Sequence, residues 1–134
     1  MKFAADQVAR YEATGGADGG TLLGKPVVIL TTRGRHSGKT RKTPLMRVEH
    51  DGTYAVVASM GGAPKHPVWY YNLIASPAVT LQDGPNVYQM DAREVQGDEK
   101  AHWWALAVDA FPPYAQYQTK TERQIPVVVL QPSR

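Results

Sequence analysis

The chain has 134 residues, of which 43% are hydrophobic, and it carries a formal net charge of +3 with no cysteine. That length suits one domain with a single core, and the missing cysteines exclude a disulfide framework and thiolate chemistry. The excess charge is mild and clustered, so a local anion site explains it better than a nucleic-acid surface, and no nucleic acid is expected as a partner.

Met1 to Ala13 is predicted as a short helix with Phe3, Val8 and Tyr11 on part of one face, and it stops at Thr14-Gly-Gly-Ala-Asp-Gly-Gly20. Residues 1–20 are read as this helix and its glycine-rich linker, and 21–134 as the domain proper. The helix carries few large apolar groups, so contact with a membrane would be peripheral at most. No apolar run approaches the ~18 residues of a membrane span, and the N-terminus lacks the basic-then-apolar pattern of a signal peptide, so a soluble cytoplasmic protein is expected.

Val27 to Thr32 reads as a buried strand, and Arg41 to His50 and Thr53 to Ser59 as two more around Asp51-Gly52, a dipeptide diagnostic of a tight hairpin turn. Between the first two lies the segment that dominates the chain. Arg33, Arg35, Lys39, Arg41 and Lys42 crowd around Gly34, Ser37 and Gly38, and no acidic residue occurs between Asp18 and Glu49. Glycine leaves backbone N–H groups unobstructed, and guanidinium and ammonium groups add charge-assisted hydrogen bonds, so this loop suits a polyanion. A solvated basic hairpin tip is the plainer alternative. Neither GxxxxGK[ST] nor GxGxxG is present, and a strand-loop-strand context supplies no helix N-terminus to bind phosphate.

Ser59-Met60-Gly61-Gly62 breaks the next strand, and Pro67 to Ala75 follows as a short helix rich in flat side chains, after Lys65. Trp69 is expected against the core, and Asn72 to bond either backbone or ligand. Ala78 to Asp83 and Val87 to Val95 are strands joined by Gly84-Pro85-Asn86. Gly97 to Ala110 is an amphipathic helix placing Trp103, Ala107 and Ala110 on one face. Beyond Phe111-Pro-Pro113, Tyr114 to Arg123 forms a helical turn or two, with Tyr114 and Tyr117 three residues apart and hence on one side. Ile125 to Leu130 closes the chain as a strand. Phenols so placed can line a cavity for flat molecules and donate to a developing oxyanion, or they can simply rim the fold. The four histidines show no zinc spacing, so no metal site is expected. Five or six strands in meander-like order with inserted helices predict a mainly β protein built as a small closed or split β-barrel.

Several stretches together carry a resemblance: Leu30-Thr-Thr-Arg-Gly-Arg-His-Ser-Gly38, Arg41-Lys-Thr-Pro-Leu45, Ala58-Ser-Met-Gly-Gly-Ala-Pro-Lys-His-Pro67, Trp69-Tyr-Tyr-Asn-Leu73 and Tyr114-Ala-Gln-Tyr117 through Arg123-Gln-Ile-Pro-Val127. In this order they resemble the deazaflavin-dependent nitroreductase family, whose members use coenzyme F420 on a split β-barrel. The resemblance implies that Arg35, His36, Ser37, Gly38, Lys39 and Arg41 hold the phospholactyl and polyglutamate tail. It places Pro44, Ser59, Met60, Gly61 and Gly62 along the deazaflavin rings, with Lys65, Trp69 and Asn72 on the phosphate and ribityl side. Tyr114 and Tyr117 match tyrosines over the ring, as catalytic candidates. His36 and Met60 stand where some relatives carry lysine. The implied activity is hydride transfer from reduced deazaflavin to a flat conjugated enone or lactone, quinone or nitroaromatic, by a monomer. FMN on the same fold, and a non-catalytic carrier of deazaflavin or a lipid-like ligand, are the alternatives.

Overall fold

A computed structural model describes residues 2–133. Helix α1 (Lys2–Thr14) precedes β1 (Thr21–Leu22), β2 (Lys25–Arg33), β3 (Thr40–Met46), β4 (Glu49–His50) and β5 (Thr53–Val57). A 3-10 turn (Met60–Gly62) and α2 (Val68–Ala75) lead to β6 (Ala78–Asp83) and β7 (Asn86–Glu94), and α3 (Gly97–Ala110), α4 (Pro113–Thr119) and β8 (Val127–Pro132) complete the chain. All pairings are antiparallel, in the order β1-β2-β6-β7-β8-β5-β4, with β3 on the other edge of β2.

The expected strand from Arg41 to His50 is two strands. It leaves β2 at Met46, passes through Arg47 and Val48, and pairs with β5 from Glu49 onward. The Arg47 N–H donates to the Pro26 carbonyl and the Val48 carbonyl accepts from Ala55, so one two-residue bend serves both halves of the sheet. This bend turns the sheet back on itself as a split barrel. Strand β1 escaped the sequence reading because two residues show no period, and with it the described sheet has eight strands where five or six were expected. Nor is the order a simple meander, since β8 lies between β5 and β7 and β6 lies beside β2. At the turn joining β4 to β5, Asp51 and Gly52 have φ of 52° and 79°, as the sequence requires of a tight hairpin.

Strands β2, β5 and β8 read as unbroken apolar runs because both of their faces are buried. Val28, Leu30, Val56, Val128 and Leu130 fill the barrel with Leu81, Met90 and, from α2, Trp69 and Leu73. Val27, Ile29, Ala55, Val57, Val127 and Val129 point the other way, beneath Trp103 and Ala107 of α3 and Tyr114 of α4. Helix α1 docks on this outer layer. The Tyr11 hydroxyl accepts the Gly84 N–H at 2.6 Å and donates to the Val27 carbonyl, while Gln7 Nε2 donates to the carbonyls of Gly19 and Thr21. Val8 shares that face, and the side chain of Phe3 lies outside the described residues. No described helix is long and apolar enough to cross a membrane.

Candidate active site

The basic segment is a hairpin tip between β2 and β3. Arg33 pairs with Thr40, the Gly34 N–H donates to the Lys39 carbonyl at 2.8 Å, and Ser37 Oγ accepts the Lys39 N–H. Helix α2 holds this tip in place. Asn72, almost fully buried, accepts the Arg35 backbone N–H on Oδ1 at 3.0 Å, and the Arg35 guanidinium lies 4.7 Å from the centroid of the Tyr71 ring. The two uses left open for Asn72 therefore meet at one place: its oxygen braces the tip, and the residue also lines the cavities beside it.

A cavity of about 340 Å³ is lined by Gly34, Arg35, His36, Ser37, Arg41, Val68 and Asn72. A second, of about 230 Å³, shares Arg41, Val68 and Asn72 with it and adds Lys42, Thr43 and Trp69. Trp69 in turn lines a third cavity of about 250 Å³, with Pro44, Leu45, Ser59, Met60, Tyr114 and Tyr117. Each cavity thus shares lining with the next, and the series forms a segmented groove from the cationic tip, by way of Trp69, to a chamber lined by two phenols.

In that chamber the rings of Tyr114 and Tyr117 stand 6.2 Å apart at 76°, and Phe111 supports Tyr114 at 5.0 Å. Burial pushes the Tyr114 hydroxyl well above the usual phenol range, with the neighbouring Tyr117 adding to the shift, so it stays protonated and can only donate or accept a hydrogen bond. Among the described residues neither phenol hydroxyl has a protein partner. A further wall comes from Ser59 and Met60 of the Ser59–Gly62 turn. Met60, Gly61 and Gly62 all have positive φ, and for Met60, at 47°, this is a strained conformation at the edge of the chamber.

One residue behind this wall escaped assignment from sequence. The Arg123 guanidinium donates to the carbonyls of Ala63 at 2.8 Å, Ala58 at 3.0 Å and Ser59 at 2.7 Å, and its Nη1 is 2.9 Å from His66 Nδ1. Burial and the Arg123 charge together hold the His66 pKa below the usual imidazole value. Arg123 lies 60 residues from Ala63 along the chain, so local pattern gave no signal for the contact. Leu22 and Leu23, from the short hairpin after α1, complete the chamber and were likewise unforeseen.

Of the expected site residues, Arg35, His36, Ser37, Arg41, Pro44, Ser59, Met60, Trp69, Asn72, Tyr114 and Tyr117 line the groove. Gly38 and Lys39 sit at the exposed tip, Gly61 and Gly62 complete the turn behind Met60, and exposed Lys65 lies between the turn and α2 without lining any of the three cavities. Lys42 is engaged by Glu12 of α1. Among the described residues Arg35, Lys39 and Arg41 pair with no carboxylate, so the groove presents uncompensated positive charge at one end and an apolar, aromatic chamber at the other. An elongated molecule with an acidic tail and a flat head fits that distribution. No group of described residues could hold a metal ion.

A family profile described as F420H(2)-dependent quinone reductase matches residues 4–132. An F420H(2)-dependent quinone reductase of Mycobacterium tuberculosis (strain ATCC 25618 / H37Rv) is 36% identical over 126 residues, which are 91% of this chain and 85% of that one. A solved structure of an F420-H2 dependent reductase is 56% identical with a TM-score of 0.76, covering 83% of this chain and 98% of that one. A second solved structure, described only as a domain-swapped dimer, is 51% identical with a TM-score of 0.78 and covers 95% of this chain and 93% of that one.

Proposed function

The chain belongs to the F420H(2)-dependent quinone reductase family, and on that premise we propose that it reduces quinones, and with them conjugated enones and nitroaromatics, in the chamber between the Ser59 turn and the two phenols. Its cofactor is reduced coenzyme F420. The observation that carries this reading is the series of adjoining cavities from the unpaired cations of the hairpin tip to the aromatic chamber, which suits a flat head on a long acidic tail.

Arg35 and Arg41 hold the acidic tail, with Ser37, His36 and Lys39 beside them at the tip. Guanidinium groups suit phosphate and carboxylate through paired donors. Asn72 keeps the tip against α2, so these donors are arranged before the ligand arrives, which lowers the ordering cost of binding. Pro44, Trp69, Ser59 and Met60 line the path to the head. When bound, the reduced deazaflavin supplies a hydride. The chain's part is to hold the acceptor in the chamber at reacting distance and to meet the charge that builds on it. Tyr117 donates a hydrogen bond to the acceptor oxygen as negative charge develops there, and Tyr114, held protonated by its burial, lends a second donor. Water or the phenol then completes protonation.

The test is anaerobic oxidation of reduced F420, followed by absorbance, against a panel of quinones, enones and nitroaromatics. Turnover with quinones is expected. Tight F420 binding with no turnover of any acceptor would instead make the protein a carrier.

A further inference from the structure

The walls of the chamber come from distant parts of the chain, and two ties fix them to each other. The first runs through Arg123. Gln118 of α4 braces the segment that carries this residue, its Nε2 donating to the Arg123 carbonyl at 2.8 Å and its Oε1 accepting the Ile125 N–H at 3.0 Å. From that anchored backbone the guanidinium reaches across to the carbonyls of Ala58, Ser59 and Ala63. Helix α4 and the turn are thereby strapped together by four bonds to one fork, counting His66. A planar guanidinium with five donors can make these bonds at once, whereas an ammonium group of similar reach cannot present the same fan.

The second tie is a direct contact. A Cβ added at Gly62 would lie 2.6 Å from the Tyr117 carbonyl oxygen and 2.9 Å from Lys120 Cβ, so the turn touches the backbone of α4 at the residue that bears a phenol. The φ of Gly62 is also +85°, a conformation L side chains rarely adopt. Ser59 and Met60 line the chamber together with Tyr114 and Tyr117, and these two ties, beside the Ala58 N–H bond to the Pro126 carbonyl, hold the two segments at their spacing.

We infer that Arg123 and Gly62 are positioning residues that set the width of the acceptor slot, the one as a strap and the other as a contact point without a side chain. The inference rests on the reading that this chamber takes a flat acceptor. Neither residue touches the acceptor in this account. Their effect is on spacing: a narrower slot favours planar molecules, and loosening the strap or wedging a methyl group at Gly62 moves the turn and α4 apart.

The experiment compares the parent with Arg123→Lys and Gly62→Ala, each with reduced F420 and two probes, planar 1,4-naphthoquinone and a quinone carrying a tert-butyl group that stands out of the ring plane. Because displacement of about 1 Å costs on the order of a hundredfold in rate, kcat for the planar quinone should fall about tenfold to a hundredfold in each variant. The bulky quinone should fall much less, so the ratio of kcat/KM between the two probes, both measured at saturating reduced F420, shifts at least about fivefold toward the bulky one. Equal losses on both probes, or parent-like selectivity, overturn the inference. Arg123→Lys keeps length and charge; should it fail to fold, the ratio in Gly62→Ala decides. A parent protein that oxidises reduced F420 with neither quinone defeats the proposed function instead, which separates the two failures.

Discussion

At the scale of single residues, the two phenols differ in ways their shared helix face does not reveal. Tyr114 is buried against Phe111, and desolvation raises its pKa. Tyr117 is only half-buried, with the Lys120 ammonium 5.6 Å from its ring centroid, and it lines the chamber. Losing one donor aimed at a developing oxyanion typically costs about a hundredfold or more in rate, and a second donor softens the loss. Tyr117→Phe should therefore lower kcat for quinones by about tenfold to a hundredfold and leave F420 affinity within about twofold, since in the proposed mechanism the phenol hydroxyl acts on the acceptor. Steady-state kinetics beside a cofactor titration checks this. An equally active variant removes Tyr117 from the chemistry.

At the scale of elements, α2 is the joint between the barrel and the cationic tip. Trp69 and Leu73 point into the barrel, while Asn72 faces the tip and accepts the Arg35 N–H, so one short helix anchors inward and steadies outward. Asn72→Ala should cost about 1 kcal/mol of local order at the tip and weaken F420 binding about threefold to tenfold with kcat at saturation little changed, as isothermal titration and kinetics would show. Elements of this kind were mostly legible. The helix over Gly97–Ala110, the hairpin at Asp51-Gly52 and the basic tip between two strands follow from period, turn chemistry and charge, all of them local. What was illegible was pairing at long range. The bend at Arg47-Val48 depends on Pro26 and Ala55, and the Arg123 strap on carbonyls some 60 residues away along the chain, and neither leaves a trace in local pattern. Asn72 was readable as a polar residue on a helix, but its partner was not.

At the scale of the whole molecule, the split barrel explains why a groove forms where it does. The sheet buries β2, β5 and β8 on both faces, and its turn-back at Arg47-Val48 brings the β2–β3 hairpin, the Ser59 turn and α4 to one seam. Charge is graded along that seam from the tip to the chamber, with no carboxylate paired to Arg35, Lys39 or Arg41 among the described residues. The central claim is that this gradient recognises the cofactor by its tail. Because both arginines are exposed, each should contribute a modest ~1 to 1.5 kcal/mol, and neutralising the pair should weaken binding roughly 30- to 150-fold.

The direct measurement is therefore a fluorescence titration of Arg35→Met/Arg41→Met with F420 and, separately, with the deazaflavin head lacking its acidic tail, alongside a thermal melt of each protein. The predicted result is a large loss for F420, parent-like affinity for the tail-less head and an unchanged melting temperature. Parent-like affinity of the double variant for F420 would contradict the account.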